Sequence, residues 1–277
     1  MDLLQSLLLG LVQGLTEFLP VSSTAHLILT PYIFGWTLTL EFAQALFAFD
    51  ILLQWGTLLA VIVYFWRDLW AIARAVVTGL LAGRLFASAE ARLGWLIVVA
   101  TLPAVAAALV FKDLIEQVHG QPYVVIGVLI VFSALIYAAE RIGRRNRTLE
   151  TLTWRDALLI GAAQAVALLP GVSRSGATIT GGLAIGLERP AAARFSFLAS
   201  IPALTGAGVL ALRDLADLPN LSSVVPPLLL GTLAAAVVGF ACIHWLLGYL
   251  AKKSMDVFVW YRLIAGAVFL AVLVWRA

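Results

Sequence analysis

Long apolar stretches dominate this chain and limit what it can fold into. Six of them approach or exceed the roughly 20 residues that a helix needs to cross a bilayer. They are residues 42–66, 94–111, 122–140, 195–212, 224–250 and 256–275. Hydrophobic residues make up 62% of the sequence and charged residues 12%, against about 45–50% and about 25% in soluble domains. The sequence therefore predicts an all-α integral membrane protein whose 277 residues form a single membrane domain.

Two further apolar regions are broken in the middle and predict a different structure. Residues 3–35 are interrupted by Leu19-Pro20-Val21-Ser22-Ser23-Thr24, and residues 156–187 by Leu169-Pro170-Gly171-Val172-Ser173-Arg174-Ser175-Gly176. Each half is too short to cross a bilayer on its own. Broken backbone of this kind is tolerated at membrane depth where protein buries it or where it lines a wet cavity. We therefore expect two re-entrant helix hairpins in addition to six transmembrane helices.

The distribution of basic residues sets the orientation of these helices. Three connections on one side, 67–92, 141–155 and 251–255, carry most of the arginines and lysines. Because short loops rich in Lys and Arg stay in the cytoplasm, this side is predicted to be cytoplasmic. Hairpin 3–35 then enters from the outside and hairpin 156–187 from the inside. The net charge of +3 is spread over short loops, so nucleic acid binding is not expected.

The two hairpins belong to a predicted internal repeat. Their Ser-rich breaks echo each other, and residues 49–69 match residues 195–215 at a constant offset, both ending in Arg-Asp-Leu. The order of hairpin and spans is the same in both copies, whereas their orientation in the membrane is opposite. The sequence thus predicts an inverted-topology repeat with halves of about 1–140 and 155–277.

Inverted repeats built from broken helices place their binding site near the bilayer midplane, where the breaks meet. Here each second half-helix begins at its Ser-rich break, so its free N–H groups and the positive end of its dipole lie at that break. Two such helix ends facing each other would bind an anion. The repeat does not specify which face of the membrane the site opens to.

Arg174 is the most informative single residue, because it lies in the middle of an apolar hairpin. A charge at the bilayer centre costs about 2.5–3.5 kcal/mol even on insertion scales. One interpretation is a structural ion pair with a carboxylate such as Glu17 or Asp50. The other, which we favour, is a bidentate clamp on an oxyanion such as phosphate.

Hydroxyl side chains cluster at both breaks. The first cluster is Ser22, Ser23 and Thr24, and the second is Ser173, Ser175 and Thr178. Members of the first cluster could cap a helix or help helices pack in lipid. One of them could instead be a nucleophile held against the anion site. The second cluster is predicted to cap the other half-helix and to bind phosphate oxygens.

Glu17 precedes the first hydroxyl cluster and shares a helix face with Gln13, four residues earlier. It could form a salt bridge to Arg174, or it could act as a general base or a metal ligand. These roles are compatible at different steps. His26 lies in the first turn after the serines. A lone histidine is often structural, but this position favours a proton carrier or a phosphate ligand.

Asp50 and Gln54 form another pair four residues apart, within the stretch 42–66. An intramembrane carboxylate indicates a functional site by default, so we predict a supporting or metal-linked role. Arg262 lies near the inner end of the last span and is interpreted as a side chain that reaches back to the interface. No His, Cys or carboxylate spacing specifies a metal site by itself. Cys242 is the only cysteine, which excludes a disulfide framework.

The candidate residues fall in two motifs that resemble the undecaprenyl-diphosphate phosphatases, also called bacitracin-resistance proteins. The motifs are Gln13-Gly14-Leu15-Thr16-Glu17-Phe18-Leu19-Pro20-Val21-Ser22-Ser23-Thr24-Ala25-His26 and Pro170-Gly171-Val172-Ser173-Arg174-Ser175-Gly176-Ala177-Thr178. Both are long and specific, and the similarity extends over essentially the whole chain. The resemblance implies a bacterial inner-membrane enzyme that removes the terminal phosphate of undecaprenyl diphosphate and so recycles the lipid carrier for cell-wall synthesis.

The resemblance has further implications for the site. It implies an active site that opens to the periplasmic face, a divalent cation such as Mg²⁺ or Ca²⁺ with Glu17 as a predicted ligand, and a homodimer. Carried over by position, Glu17 and Ser23 would be acid/base and nucleophile, Arg174 and Ser173 would bind phosphate, and Thr24 and His26 would assist. Which group attacks phosphorus stays open.

Two positions depart from the family pattern. This chain has Gln13 where many members have glutamate, and Ala25 where many have glycine. Gln13 cannot act as a base, which makes Glu17 more necessary. The alternative function is a lipid or anion transporter or flippase, because inverted repeats and broken helices are typical of transporters. A passive channel is disfavoured, because Arg174 and the two breaks would occlude a pore.

Overall fold

The computed structural model describes residues 2–36, 40–119, 121–216 and 221–276, and within these ranges it does not describe the side chains of 40–48, 51, 116, 119, 210–216 and 221–224. Its helices are α1 Leu3–Thr16, α2 Ser23–Phe34, α3 Leu40–Tyr64, α4 Trp66–Leu81, α5 Ala89–Val110, α6 Lys112–His119, α7 Pro122–Ile142, α8 Trp154–Val166, α9 Arg174–Ala184, α10 Arg189–Ala216, α11 Leu221–Leu250 and α12 Asp256–Arg276. A single 3₁₀ turn lies at Leu149–Thr151.

The all-α membrane fold is confirmed. Within the described residues, five helices are long and apolar enough to span a bilayer, namely α5, α7, Arg189–Val209 of α10, Val225–Leu250 of α11, and α12. A sixth candidate is the bent pair in which Leu52–Tyr64 of α3 meets α4 at 78°. The protein is therefore a multi-pass membrane protein with five to six candidate spans. All six apolar stretches singled out in the sequence fall on these helices.

The interpretation of residues 67–92 as a connecting loop was wrong for its first half. Residues 66–81 form α4, whose exposed Trp66 and Trp70 stack on each other with ring centroids 6.0 Å apart. The helix also carries Arg67, Asp68 and Arg74. It was missed because apolar and charged residues alternate at helical spacing, so its average hydropathy is too low to suggest a span.

Both predicted hairpins have the same local structure at their breaks. Helix α2 begins after Ser22, whose φ is 73°, and α9 begins after Ser173, whose φ is 83°. Positive φ is uncommon for residues other than glycine. In each case the serine hydroxyl accepts a hydrogen bond from the backbone N–H three residues on, at 3.4 Å from Ala25 and 3.0 Å from Gly176. Both serines are therefore N-caps, as the sequence predicted for at least one member of each cluster.

Helices of the first half of the chain pack against helices of the second half. Helix α1 packs on α11, and α8, its counterpart, packs on α5. Helices α3 and α10 pack on each other, as do α7 and α12. This pattern supports the inverted repeat, whose boundaries near 1–140 and 155–277 stay a prediction. The matching Arg213-Asp214 side chains lie outside those the structure describes.

Close packing of α1 on α11 depends on glycine. Gly10 and Gly14 lie four residues apart on α1, the spacing that lets membrane helices approach closely. A Cβ on Gly10 would lie 2.2 Å from the carbonyl oxygen of Gly231, and one on Gly14 would lie 2.8 Å from Cβ of Val238. The first contact is with backbone, which cannot move aside as a side chain can. This packing places the C-terminal end of α1, and with it the first break.

We predict that Gly10→Ala destabilises the protein by about 1–3 kcal/mol, because overpacking forces α1 away from α11. Gly127→Ala in α7 is the matched control, since a Cβ there meets nothing within 4 Å. The control should be neutral or slightly stabilising. Thermal unfolding of both purified variants in detergent measures the difference, and equal unfolding temperatures would contradict the packing argument.

Candidate functional site

The two breaks meet around a partly open cavity of about 250 Å³. Its polar lining is Glu17, Ser22, Ser23, Thr24, Asp50, Gln54, Gln164, Ser173 and Arg174. Apolar residues of α2, α5, α6 and α10 and of the segment 167–170 complete the wall. The tips of both predicted hairpins therefore line the same cavity, and its role as a binding site stays a prediction.

Glu17 lies at the centre of the polar contacts in this cavity. Its Oε1 accepts hydrogen bonds from Arg174 Nη2 at 3.0 Å and Nε at 3.4 Å. Its Oε2 accepts from Ser23 Oγ at 2.7 Å and from Gln13 Nε2 at 3.0 Å. Glu17 is only 6% exposed. One carboxylate thus joins a hydroxyl that it can deprotonate and a cation that holds it in place.

Arg174 is the first residue of α9, so its side chain lies at the positive end of that helix. Besides its ion pair with Glu17, its Nη1 donates to the carbonyl oxygen of Ser196 at 3.2 Å. Both interpretations of this arginine are compatible with the structure. The ion pair is present, and the guanidinium also lines the cavity where an oxyanion would lie.

The second hydroxyl cluster divides between the cavity and the packing behind it. Ser173 lines the cavity, and its Oγ lies 3.1 Å from Ser175 Oγ. Ser175 donates to the carbonyl oxygen of Leu19 at 3.0 Å and so ties the second break to the first. Thr178 donates to its own helix at Arg174 and lies 2.6 Å from Ser196 Oγ. Ser175 and Thr178 therefore form hydrogen bonds within the protein, and neither residue lines the cavity.

His26 points away from Glu17 and Ser23. Its Nδ1 lies 2.8 Å from the carbonyl oxygen of Ser22, and its Nε2 lies 2.8 Å from Tyr261 Oη. The ring also stacks on Tyr261, with centroids 5.6 Å apart. Both nitrogens are engaged, so the observed contacts of His26 connect the first break to α12. Because a carbonyl oxygen cannot relay a proton, any proton that His26 exchanges through these contacts would pass through the Tyr261 hydroxyl.

The interpretation of Arg262 as a side chain reaching the interface was wrong. Arg262 is completely buried and donates to the carbonyl oxygens of Pro20 at 3.3 Å and Gly171 at 2.9 Å, one in each break. It also donates to Ser133 Oγ at 3.1 Å and to the Leu129 carbonyl oxygen at 2.9 Å. The sequence does indicate this burial, since an arginine inside an apolar span is expected to have buried polar partners.

Asp50 and Gln54 line the cavity from α3, which belongs to neither hairpin. Asp50 is 3% exposed, and neither carboxylate oxygen has a hydrogen-bond partner among the described residues. Three or more His, Cys, Asp or Glu side chains are nowhere grouped to hold a metal ion in the part of the chain that the structure describes. A cation held here would therefore need oxygen ligands from outside the protein as well.

These features define a class of protein: a helical membrane protein in which two broken hairpins enclose a cavity lined by hydroxyl groups, carboxylates and a guanidinium. The chain belongs to the bacitracin resistance protein BacA family, whose model matches residues 6–268. The match covers both hairpins and all candidate site residues.

Curated relatives agree with this assignment over nearly their full length. An undecaprenyl-diphosphatase of Chlorobium phaeovibrioides is 45% identical, with 99% of this chain and 98% of the relative covered. One of Myxococcus xanthus is also 45% identical, with 99% and 90% covered. One of a Nocardioides species is 42% identical, with 96% and 94% covered.

We predict that Arg262→Met destabilises the protein by on the order of 3 kcal/mol, because several buried carbonyl oxygens lose their donor. Arg276→Met is the control, since that arginine donates only to an exposed carbonyl oxygen, that of Ile33. Thermal unfolding in detergent tests the prediction. An Arg262→Met protein as stable as the control would show that the breaks hold together without it.

Proposed function

We propose that this protein hydrolyses undecaprenyl diphosphate to undecaprenyl phosphate and inorganic phosphate, and so recycles the lipid carrier for cell-wall synthesis. The observation that carries the proposal is the contact of the buried Glu17 with both Ser23 and Arg174 in one cavity. Binding an anion needs Arg174 and the helix ends but no hydroxyl held against a carboxylate. The curated names of the relatives supply the substrate.

The diphosphate head group would enter between the two breaks. Arg174 and the N–H groups at the start of α2 and α9 would receive its terminal phosphate. Ser173 and Thr24 would add hydroxyl donors from the cavity wall. Each of these groups is fixed by the fold before substrate arrives, so little reorganisation is needed as charge develops on the phosphoryl oxygens.

Glu17 would take the proton from the attacking group, which is either Ser23 Oγ or a water molecule. If Ser23 attacks, a bond forms from Oγ to the terminal phosphorus and the bridging P–O bond breaks. The lipid monophosphate leaves with that bond's electron pair, and water then releases phosphate from Ser23. If water attacks, Ser23 orients it and phosphate leaves directly. In both cases Arg174 holds Glu17 in place through the ion pair.

We also propose a divalent cation such as Mg²⁺ or Ca²⁺, with Glu17 as one ligand. The lining supports this, because it offers carboxylate and amide oxygens, the ligand types that these hard cations prefer. A bound cation would neutralise charge on the phosphate oxygens. The residues of the protein itself would bind and orient the diphosphate and deprotonate the attacking group.

The isoprenoid tail explains why such a site lies within the membrane, since the tail can stay in lipid while the head group reacts. We propose that the protein lies in the bacterial inner membrane with the cavity opening to the periplasmic face. The basic loops support the orientation of the helices, and the family resemblance supports the side on which the cavity opens. We also propose that it forms homodimers, on the strength of the family resemblance.

The orientation is testable with single cysteines in a Cys242→Ala background. Arg84 lies in a basic connection and Gln121 lies between α6 and α7, and both are exposed. A membrane-impermeant thiol reagent applied to spheroplasts should label Gln121→Cys, and it should label Arg84→Cys only after lysis. The reverse pattern would overturn the proposed orientation.

The rival proposal is a lipid or anion transporter, which the helix pairing of the two halves favours. Phosphate release discriminates between the two functions, because the purified protein in detergent has no compartments to transport between. Release of inorganic phosphate from undecaprenyl diphosphate would favour the phosphatase. Absence of release, together with substrate movement in proteoliposomes, would favour the transporter.

Three substitutions test the proposed chemistry. We expect Ser23→Ala, Glu17→Gln and Arg174→Ala each to lower the rate of phosphate release by about 10²- to 10⁴-fold. Ser254→Ala, outside the cavity, should retain activity. A phosphorylated Ser23 in acid-quenched enzyme would identify serine as the attacking group. Full activity in purified, folded Arg174→Ala would overturn the proposed site.

A further inference from the structure

We infer that Asp50 supplies a second carboxylate for a divalent cation that binds in this cavity together with the diphosphate. The inference rests on the proposed function and extends it to a residue outside both hairpin motifs. It is carried by the position of Asp50, its burial and the absence of protein partners among the described residues.

The carboxylate of Asp50 is unusual because the fold buries it without satisfying it. It is 3% exposed, and both oxygens lack a hydrogen-bond donor in the described part of the chain. Glu17, in the same cavity, accepts from Arg174, Ser23 and Gln13. A buried carboxylate without partners is costly unless it is neutralised or coordinates a metal ion. Asp50 therefore needs a ligand or a proton that the protein does not supply.

The charges of the cavity favour a cation over a proton. The charged residues in its lining are Glu17, Arg174 and Asp50. Because Glu17 and Arg174 form an ion pair, Asp50 carries the remaining charge, and that charge repels a diphosphate. A divalent cation between the carboxylates and the phosphate oxygens would convert this repulsion into attraction. Arg174 alone cannot do so while it also neutralises Glu17.

The other oxygen atoms in the cavity lining also suit a hard cation. Gln164 also lines the cavity, and its Oε1 is buried without a hydrogen-bond partner while its Nε2 donates to the Ala100 carbonyl oxygen at 3.3 Å. An unpartnered amide oxygen and two carboxylates give only oxygen ligands. Mg²⁺ typically binds through one or two carboxylates together with substrate phosphates and water. Such a site needs no cluster of three acidic side chains.

The competing explanation is that Asp50 is a neutral carboxylic acid with a structural role. Asp50→Asn separates the two, because asparagine has the same shape and resembles the neutral acid but is a poor cation ligand. A structural acid predicts unchanged cation binding in this variant. A cation ligand predicts a loss, and folding can be checked separately by thermal unfolding.

The test uses purified full-length protein in detergent and measures Mn²⁺ binding by electron paramagnetic resonance, with methylenediphosphonate as a non-hydrolysable diphosphate and Mg²⁺ as competitor. We expect the wild type to bind Mn²⁺, and Asp50→Asn to bind it at least about 10-fold more weakly. The matched control is Glu90→Gln, which removes one exposed carboxylate outside the cavity and should bind Mn²⁺ like the wild type.

The possible results separate this inference from the proposed function. Equal Mn²⁺ affinity in Asp50→Asn and the wild type, or no Mn²⁺ binding by the wild type with or without the diphosphonate, would overturn the inference. Phosphate release can stand in either case. Conversely, weakened binding in Asp50→Asn, in a protein that releases no phosphate from undecaprenyl diphosphate, would support the cation site and reject the phosphatase.

Discussion

The site depends on one buried guanidinium, that of Arg262. The breaks interrupt helices, so their carbonyl oxygens have no intrahelical donors and must find partners inside the protein. Arg262 donates to Pro20 in one break and Gly171 in the other, and also to α7. Because a guanidinium is rigid and planar, these bonds fix the distance between the hairpins. The two helix N-termini can then face one cavity.

The two serine caps determine which side chains project into that cavity. Ser22 and Ser173 adopt positive φ, a conformation that costs roughly 1–3 kcal/mol and persists only where the surroundings enforce it. This geometry turns the chain so that the next residue begins a helix. Side chains in a helix tilt toward its N-terminus, so Ser23 and Arg174, each the first residue of its helix, project back toward the break and into the cavity.

The sequence is informative where chemistry is local and uninformative where it depends on tertiary packing. Hydropathy and the Pro-Ser breaks predicted the spans and both hairpins, and the motif spacing predicted that Glu17, Ser23 and Arg174 share a site. The direction of His26 could not be predicted, because it depends on Tyr261, 235 residues further along the chain. The role of Arg262 was missed for the same reason, since its acceptors are backbone atoms of distant segments.

Ser23 and Arg174 occupy equivalent positions in the predicted repeat, but their side chains differ. Both follow a serine cap with positive φ, so the repeat offers two similar helix ends to one anion. Two identical helix ends would bind the anion equally from both sides and would not distinguish the attacking group from the leaving group. With a hydroxyl on one end and a guanidinium on the other, the first half would supply the reactive oxygen of the proposed mechanism and the second would supply charge. Glu17 contacts both groups. In the proposed mechanism it would accept the hydroxyl proton on one oxygen while the guanidinium stabilises the other.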